Sequence, residues 1–264
     1  MAHGSFPGRN PTPSSFRERE RLINQLQADP VFRVAWEMNQ LVEHGYCTPM
    51  GGNVSMRLSN GIMAVTPAHV DKRLLLPDDI VYVNIASGNY DGGPKHRQPT
   101  SETDLHREIY QQTEAAAIVH AHPRSTVFLA QLDGNMGQQL INALSTGVPE
   151  YAVSWATDEG DAKASVTKEY EMMWSKELAR QVATEFAQGK TIVVMRNHGP
   201  IAIGATMTQA VEQIMLLEEL CSHALLKAMF GQQLLHTEAI PEQLRGNLVT
   251  AGTSYLKMVN EGNK

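Results

Sequence analysis

His120 and His122 stand one residue apart at the end of an apolar run, Ala115-Ala116-Ala117-Ile118-Val119, and a third histidine lies far downstream in Arg196-Asn197-His198-Gly199. In an extended strand residues i and i+2 point to the same face, so the first two imidazoles can aim at one point. That is half of a metal site. A second strand-like run, Thr191-Ile192-Val193-Val194-Met195, leads to His198, and a sheet that places both strand ends together would add a third nitrogen. Three protein ligands with an open fourth position is the catalytic rather than the structural pattern. An isolated His-x-His on a buried strand end is more often a hydrogen-bonded pair than a metal site, so the company these residues keep decides between the two.

Two further segments are chemically loaded. In Gly51-Gly52-Asn53-Val54-Ser55 the glycines let the backbone approach a ligand closely, and Asn53 and Ser55 offer donors on one face. Alone, the same string is an ordinary turn before a strand. In Pro99-Thr100-Ser101-Glu102 two hydroxyls and a carboxylate lead into a helix whose exposed N–H groups favour an anion, the plainer alternative being a helix N-cap. There is no Gly-x-Gly-x-x-Gly after a strand, no Walker-type phosphate loop, no Cys-x-x-Cys and no Gly-x-Ser-x-Gly elbow. Nucleotide-binding and serine-hydrolase readings lose their main supports.

The scaffold follows from composition and periodicity. The 264 residues, 42% of them hydrophobic, suit one globular domain. A net charge of -6, from 22 basic and 28 acidic residues, offers no broad attraction to nucleic acid or to an anionic membrane. No apolar stretch approaches the roughly 20 residues of a membrane span, and the polar start of the chain has no apolar leader core, so a cytoplasmic protein is expected. Cys47 and Cys221 form no disulfide framework and read as buried, reduced thiols.

Residues 1–14, with three prolines and two glycines, are expected to be disordered. A charged run capped by Ser15 predicts a helix over Phe16 to Gln27, and apolar residues at helical spacing predict a second over Val31 to Glu43. Strands follow at Val54 to Leu58, Ile62 to Val65 and Ile80 to Ile85, the first two joined by a Ser59-Asn60-Gly61 turn. A helix over 102–112, a strand over 115–120 and a helix over 124–131 come next. Gly134 to Asp161 gives no definite element. Lys168 to Gln188 reads as a long amphipathic helix closed by Gly189, followed by strand 191–195 and a helix over Met207 to Phe230. The pattern predicts a single α/β domain over 15–232, a mostly antiparallel sheet covered by helices, with a partly helical tail over 233–264.

Taken in order, the loaded segments resemble the class II aldolase/adducin family. The resemblance runs from about Val31 to Phe230 and is carried by Gly52-Asn53-Val54-Ser55, Val65-Thr66-Pro67 with Val70-Asp71, Asp78-Asp79-Ile80-Val81, Pro99 to Glu102 with His106 and Tyr110, the His-x-His, and Arg196 to Gly199. It implies an α/β/α fold, a homotetramer with active sites between neighbouring subunits, and a divalent metal on His120, His122 and His198, usually zinc, with manganese, cobalt or iron as alternatives. The family position for the proton-moving carboxylate falls on Glu102, a glutamate as in the aldolases where the epimerases have aspartate. A proton-donating tyrosine from the C-terminal region would fall to Tyr255.

These residues fit a small-molecule lyase. Breaking a carbon–carbon bond beside a carbonyl leaves negative charge on oxygen, which a Lewis acid takes up. One departure bears on the substrate. The family's phosphate-binding members have Ser-Gly after Thr-Pro, whereas this chain has Thr66-Pro67-Ala68-His69. That favours an unphosphorylated hydroxy-carbonyl compound or hydroxy acid, held by Asn53, Ser55, Thr100, Ser101 and His69. Retro-aldol cleavage is the leading expectation. The alternatives are decarboxylation of a hydroxylated, even aromatic, acid at the same metal, sugar-phosphate epimerisation, and a non-catalytic adducin-like scaffold.

Overall fold

The computed structural model describes residues 15–132, 164–167 and 170–230. The expectations for residues 1–14, for Gly134 to Asp161 and for the tail that holds Tyr255 lie outside the described residues.

The chain opens with α1 (Phe16–Ala28) and α2 (Pro30–Glu43), each started by a side chain that satisfies otherwise unpaired helix N–H groups. Ser15 and Glu18 form a reciprocal capping box. Asp29 accepts from the N–H groups of Val31 and Phe32 at 2.9 and 3.0 Å. Four strands follow, β1 (Asn53–Arg57), β2 (Ile62–Val65), β3 (Val81–Asn84) and β4 (Tyr90–Asp91), then α3 (Thr103–Gln112), β5 (Ala117–His120) and α4 (Arg124–Ala130). After β6 (Ala164–Val166) come α5 (Lys176–Ala187), β7 (Ile192–Met195), β8 (Gly199–Gly204) and α6 (Met207–Phe230).

The eight strands form one sheet in the order β4-β3-β2-β1-β5-β8-β7-β6, antiparallel throughout except for the β6–β7 pair. Alternation along the strands sorts side chains to two faces. Val54, Ala117, Val119, Val194 and Ala202 join α2, α4 and α6 in one core. Met63, Val83, Ile118, Val193 and Ile201 join α3 and α5 in the other. Helices therefore cover both faces in three layers. Among the described residues no helix is long and apolar enough to cross a membrane, and Cys47 and Cys221 are buried and unpaired.

One expectation is corrected, and three strands were not foreseen. The predicted helix over Lys168 to Gln188 begins only at Lys176, because Trp174 sits in the left-handed region (φ 69°) and the Ser175 hydroxyl caps Leu178 N–H at 3.1 Å. β8 falls on Gly199-Pro200-Ile201-Ala202-Ile203-Gly204, where Gly and Pro read as punctuation. β4 and β6 are too short, at two and three residues, to show a period.

Candidate active site

The sheet register builds the site. Asn53 at the start of β1 lies opposite His120 at the end of β5, and His120 lies opposite Ile201 of β8. The connection Arg196-Asn197-His198 between β7 and β8 therefore ends beside His120. His122 is placed just past β5, its N–H bonded to the Tyr46 carbonyl at 2.9 Å. The helix that follows is held by α6: Glu218 accepts from the N–H groups of Ser125 and Thr126 at 3.0 and 2.9 Å, a carboxylate on a helix N-terminus.

The three imidazoles converge. His120 Nε2 lies 2.9 Å from His122 Nε2 and 3.3 Å from His198 Nε2, and one ligand nitrogen from each falls within 4.8 Å of the others. Tetrahedral ligands about 2.0–2.1 Å from a zinc ion stand at comparable separations. Burial pushes the His120 pKa well below the ordinary range, with His122 and His198 adding to it; burial, followed by His198, brings His122 to about 4. Both are neutral near pH 7. His120 Nδ1 donates to the Pro200 carbonyl at 2.9 Å, which leaves its Nε2 lone pair facing the cluster. A simple hydrogen-bonded pair does not require the third imidazole, nor a donor that turns a lone pair inward. The cluster suits a divalent cation.

Glu102 occupies the N-cap position of α3 without capping it. Its carboxylate turns to the histidines instead, with Oε2 at 3.3 Å from His120 Nε2 and Oε1 at 3.4 Å from His198 Nε2. Glu102 is 5% exposed, and its Oε1 has no hydrogen-bond partner. A buried acceptor left open beside three imidazole nitrogens is the arrangement a bound cation or a substrate proton completes.

A one-way hydrogen-bond chain fixes the other oxygen. A carboxylate only accepts, so Asn53 Nδ2 donates to Glu102 Oε2 at 2.6 Å and Asn53 Oδ1 must accept from His106 Nε2–H at 2.5 Å. His106 is neutral, its pKa brought down to about 4 by burial against the opposing pull of Glu102. Its Nδ1 therefore accepts from the Ser55 hydroxyl at 2.7 Å, and Tyr110 donates to Ser55 at 2.9 Å. His106 and Tyr110 lie four residues apart on one face of α3.

This corrects one expected role. Ser55 was expected to hold substrate, but it is fully buried behind Asn53, one strand period deeper, with its hydroxyl spent on His106 and Tyr110. Ser55→Ala is expected to lower stability by about 1–3 kcal/mol, because it strands two buried polar groups. Chemical denaturation measures this; an unchanged midpoint with a raised KM would return Ser55 to the substrate.

Asn53, His69, Thr100, Ser101, Glu102, His122 and His198 all line one cavity of about 740 Å³, a normal size for a small-molecule site. His69 adopts φ 55°, a left-handed backbone that glycine takes freely and other residues take seldom. The cavity also includes Lys72, Arg124, Met173 and Trp174, which sequence reasoning missed. Trp174 lay inside the overextended helix, and nothing in its local pattern marks Lys72 as buried. Gly52 (φ 71°) is required by close approach: a Cβ there would meet Cys47 Sγ and the His120 carbonyl.

Fold and site together define a three-layer α/β protein with a buried histidine–carboxylate centre opening on a pocket. Residues 33–225 match the family model described as Class II Aldolase and Adducin N-terminal domain, and the chain belongs to that family. It is 26% identical over 204 residues to a methylthioribulose-1-phosphate dehydratase of Bacillus pumilus, covering 74% of this chain and 92% of that one. It is 29% identical over 181 residues to an L-fuculose phosphate aldolase of Methanococcus maripaludis, covering 68% and 87%. A solved L-fuculose 1-phosphate aldolase superposes with a TM-score of 0.66 at 25% identity, covering 85% of this chain and 96% of that one.

Proposed function

We propose that the protein is a divalent-metal-dependent lyase that cleaves a carbon–carbon bond in a small hydroxy-carbonyl substrate. The observation that carries this is the open Oε1 of Glu102 beside the three converging imidazoles at the cavity. His120, His122 and His198 would hold the cation, with zinc the first candidate for a three-nitrogen set. When bound, it supplies Lewis-acid stabilisation of the negative charge that the substrate oxygens develop.

The chain's own groups do the rest. Glu102 Oε1 takes the proton that leaves the substrate and returns it after the bond has broken, within reach of the reacting atoms. Oε2 is held by Asn53, so the carboxylate does not swing to the helix N–H groups it would otherwise cap. The chain from Tyr110 to Asn53 places that donor; burial keeps His106 neutral, and Asn53 Oδ1 fixes its one proton on Nε2. Thr100 and Ser101 present hydroxyls on the cavity wall.

Dehydration is the second reading, favoured by the dehydratase named among the relatives. A group that shuttles a proton beside a polarised carbonyl serves either bond cleavage. One finding stands against an unphosphorylated substrate: the relatives are named for phosphorylated substrates, methylthioribulose 1-phosphate and L-fuculose phosphate. A panel of ketose 1-phosphates and unphosphorylated hydroxy acids, assayed with zinc, manganese, cobalt or iron, tests the proposal. Release of an aldehyde fragment is expected. Loss of water without a fragment selects dehydration, and no turnover of any hydroxy-carbonyl compound with any of these metals would overturn the lyase reading.

A further inference from the structure

We infer that Lys72 is the anchor for an oxyanion carried by the substrate, a carboxylate or a phosphate monoester. The inference rests on the cavity being the substrate site of the lyase proposed above.

Lys72 begins a single 3-10 turn, Lys72–Leu74, and is only 3% exposed. Buried lysines are ordinarily matched by a carboxylate, or else run their stem along the surface and keep the ammonium in water. Lys72 does neither. Its Nζ donates to the Pro67 carbonyl at 2.6 Å, and among the described residues no carboxylate lies within ion-pairing distance. The adjacent acid, Asp71, is taken by Arg73 at 2.5 Å. An ammonium has three donors, so two remain beyond the bond to Pro67. Such a group is unfavourable in a dry site until an anion arrives.

The surroundings agree. Lys72 lines the same cavity as Asn53, Thr100 and Ser101, and that cavity has two basic side chains, Lys72 and Arg124, against one carboxylate, Glu102. Two hydroxyls, an ammonium and a guanidinium lining one cavity are the donors that an oxyanion uses.

The charge is also poised. Burial lowers the Lys72 pKa to about 8, with Cys47 opposing. The Cys47 thiol is itself held up to about 11 by burial and stays neutral near pH 7. On α2, which packs against this turn, Glu37 is bound to Arg33 at 2.7 Å; the cavity contributes His69, Glu102, His122, Arg124 and His198. The ammonium is present below about 8 and lost above it, so anion affinity falls as pH rises through that value, while a bound anion raises it.

Binding of inorganic phosphate and of acetate to the purified, metal-loaded protein is the test, by titration calorimetry on wild type, Lys72→Met and Lys72→Arg. Wild type should bind one or both anions. Lys72→Met, which keeps the stem and removes the charge, should weaken binding by about tenfold or more, and Lys72→Arg should recover most of it and abolish the fall above pH 8. Preference for phosphate identifies a phosphate monoester, and preference for acetate a carboxylate. Equal affinity in wild type and Lys72→Met, or no binding of either anion by wild type at millimolar concentration, overturns the inference. Because the readout is binding, it stands apart from failure of the lyase reading, which shows as absent turnover. Lys72→Gln serves in parallel if Lys72→Met does not fold.

Discussion

Glu102→Gln is expected to lower kcat by about 10²–10⁴-fold while KM and metal content stay near wild type. The magnitude is that of a lost general acid–base group. The argument for the direction is local. The hydrogen-bond chain from Tyr110 ends on Glu102 with a donor, Asn53 Nδ2. A glutamine would turn its carbonyl oxygen to that donor and its amide nitrogen to the histidines, at the place where Oε1 is now open. The shape is preserved, but a group that accepts a proton becomes one that cannot. Because Glu102 caps no helix N–H, the substitution removes no cap, and stability should hold. Steady-state kinetics with elemental analysis of the same preparation separates the outcomes. Near-wild-type kcat would show that another group moves the proton; lost metal would show that Glu102 is a ligand.

Much of this centre was legible because two short periods wrote it. The i, i+2 spacing of His120 and His122 on an apolar strand, and the 3.6-residue period of α2 and α6, are visible in the chain itself. The bounds Ile62–Val65 come directly from a short apolar run beside a turn. What was not legible depends on depth and on distant partners. Ser55 shares a face with Asn53, as alternation requires, but only the fold says that β1 enters the cavity at Asn53 and leaves Ser55 under α3. The spacing of His106 and Tyr110 marks a helix face, but not that this face closes over β1. Lys72 sits in a polar string where burial has no local signature. β8 was hidden by its own glycine and proline, which close approach explains: a Cβ on Gly199 would lie 2.7 Å from the Ala121 carbonyl and 3.0 Å from His122 Cδ2. The residue that reads as punctuation is there to seat a histidine.

The central claim is that His120, His122 and His198 hold a divalent cation, and His122→Ala bears on it most directly. His122 is the suitable member of the three to remove. It is only partly buried, and its backbone is fixed independently of the ring by the bond from its N–H to Tyr46. The ring fills a slot between Gly51 and Gly199, a Cβ on Gly51 coming within 2.9 Å of its Nδ1, so alanine vacates space without forcing a shift. The structure leaves two histidines, too few for a stable three-nitrogen site. Elemental analysis after exhaustive dialysis should find about one divalent ion per chain in wild type and close to none in His122→Ala. Equal metal content in the two proteins would contradict the account.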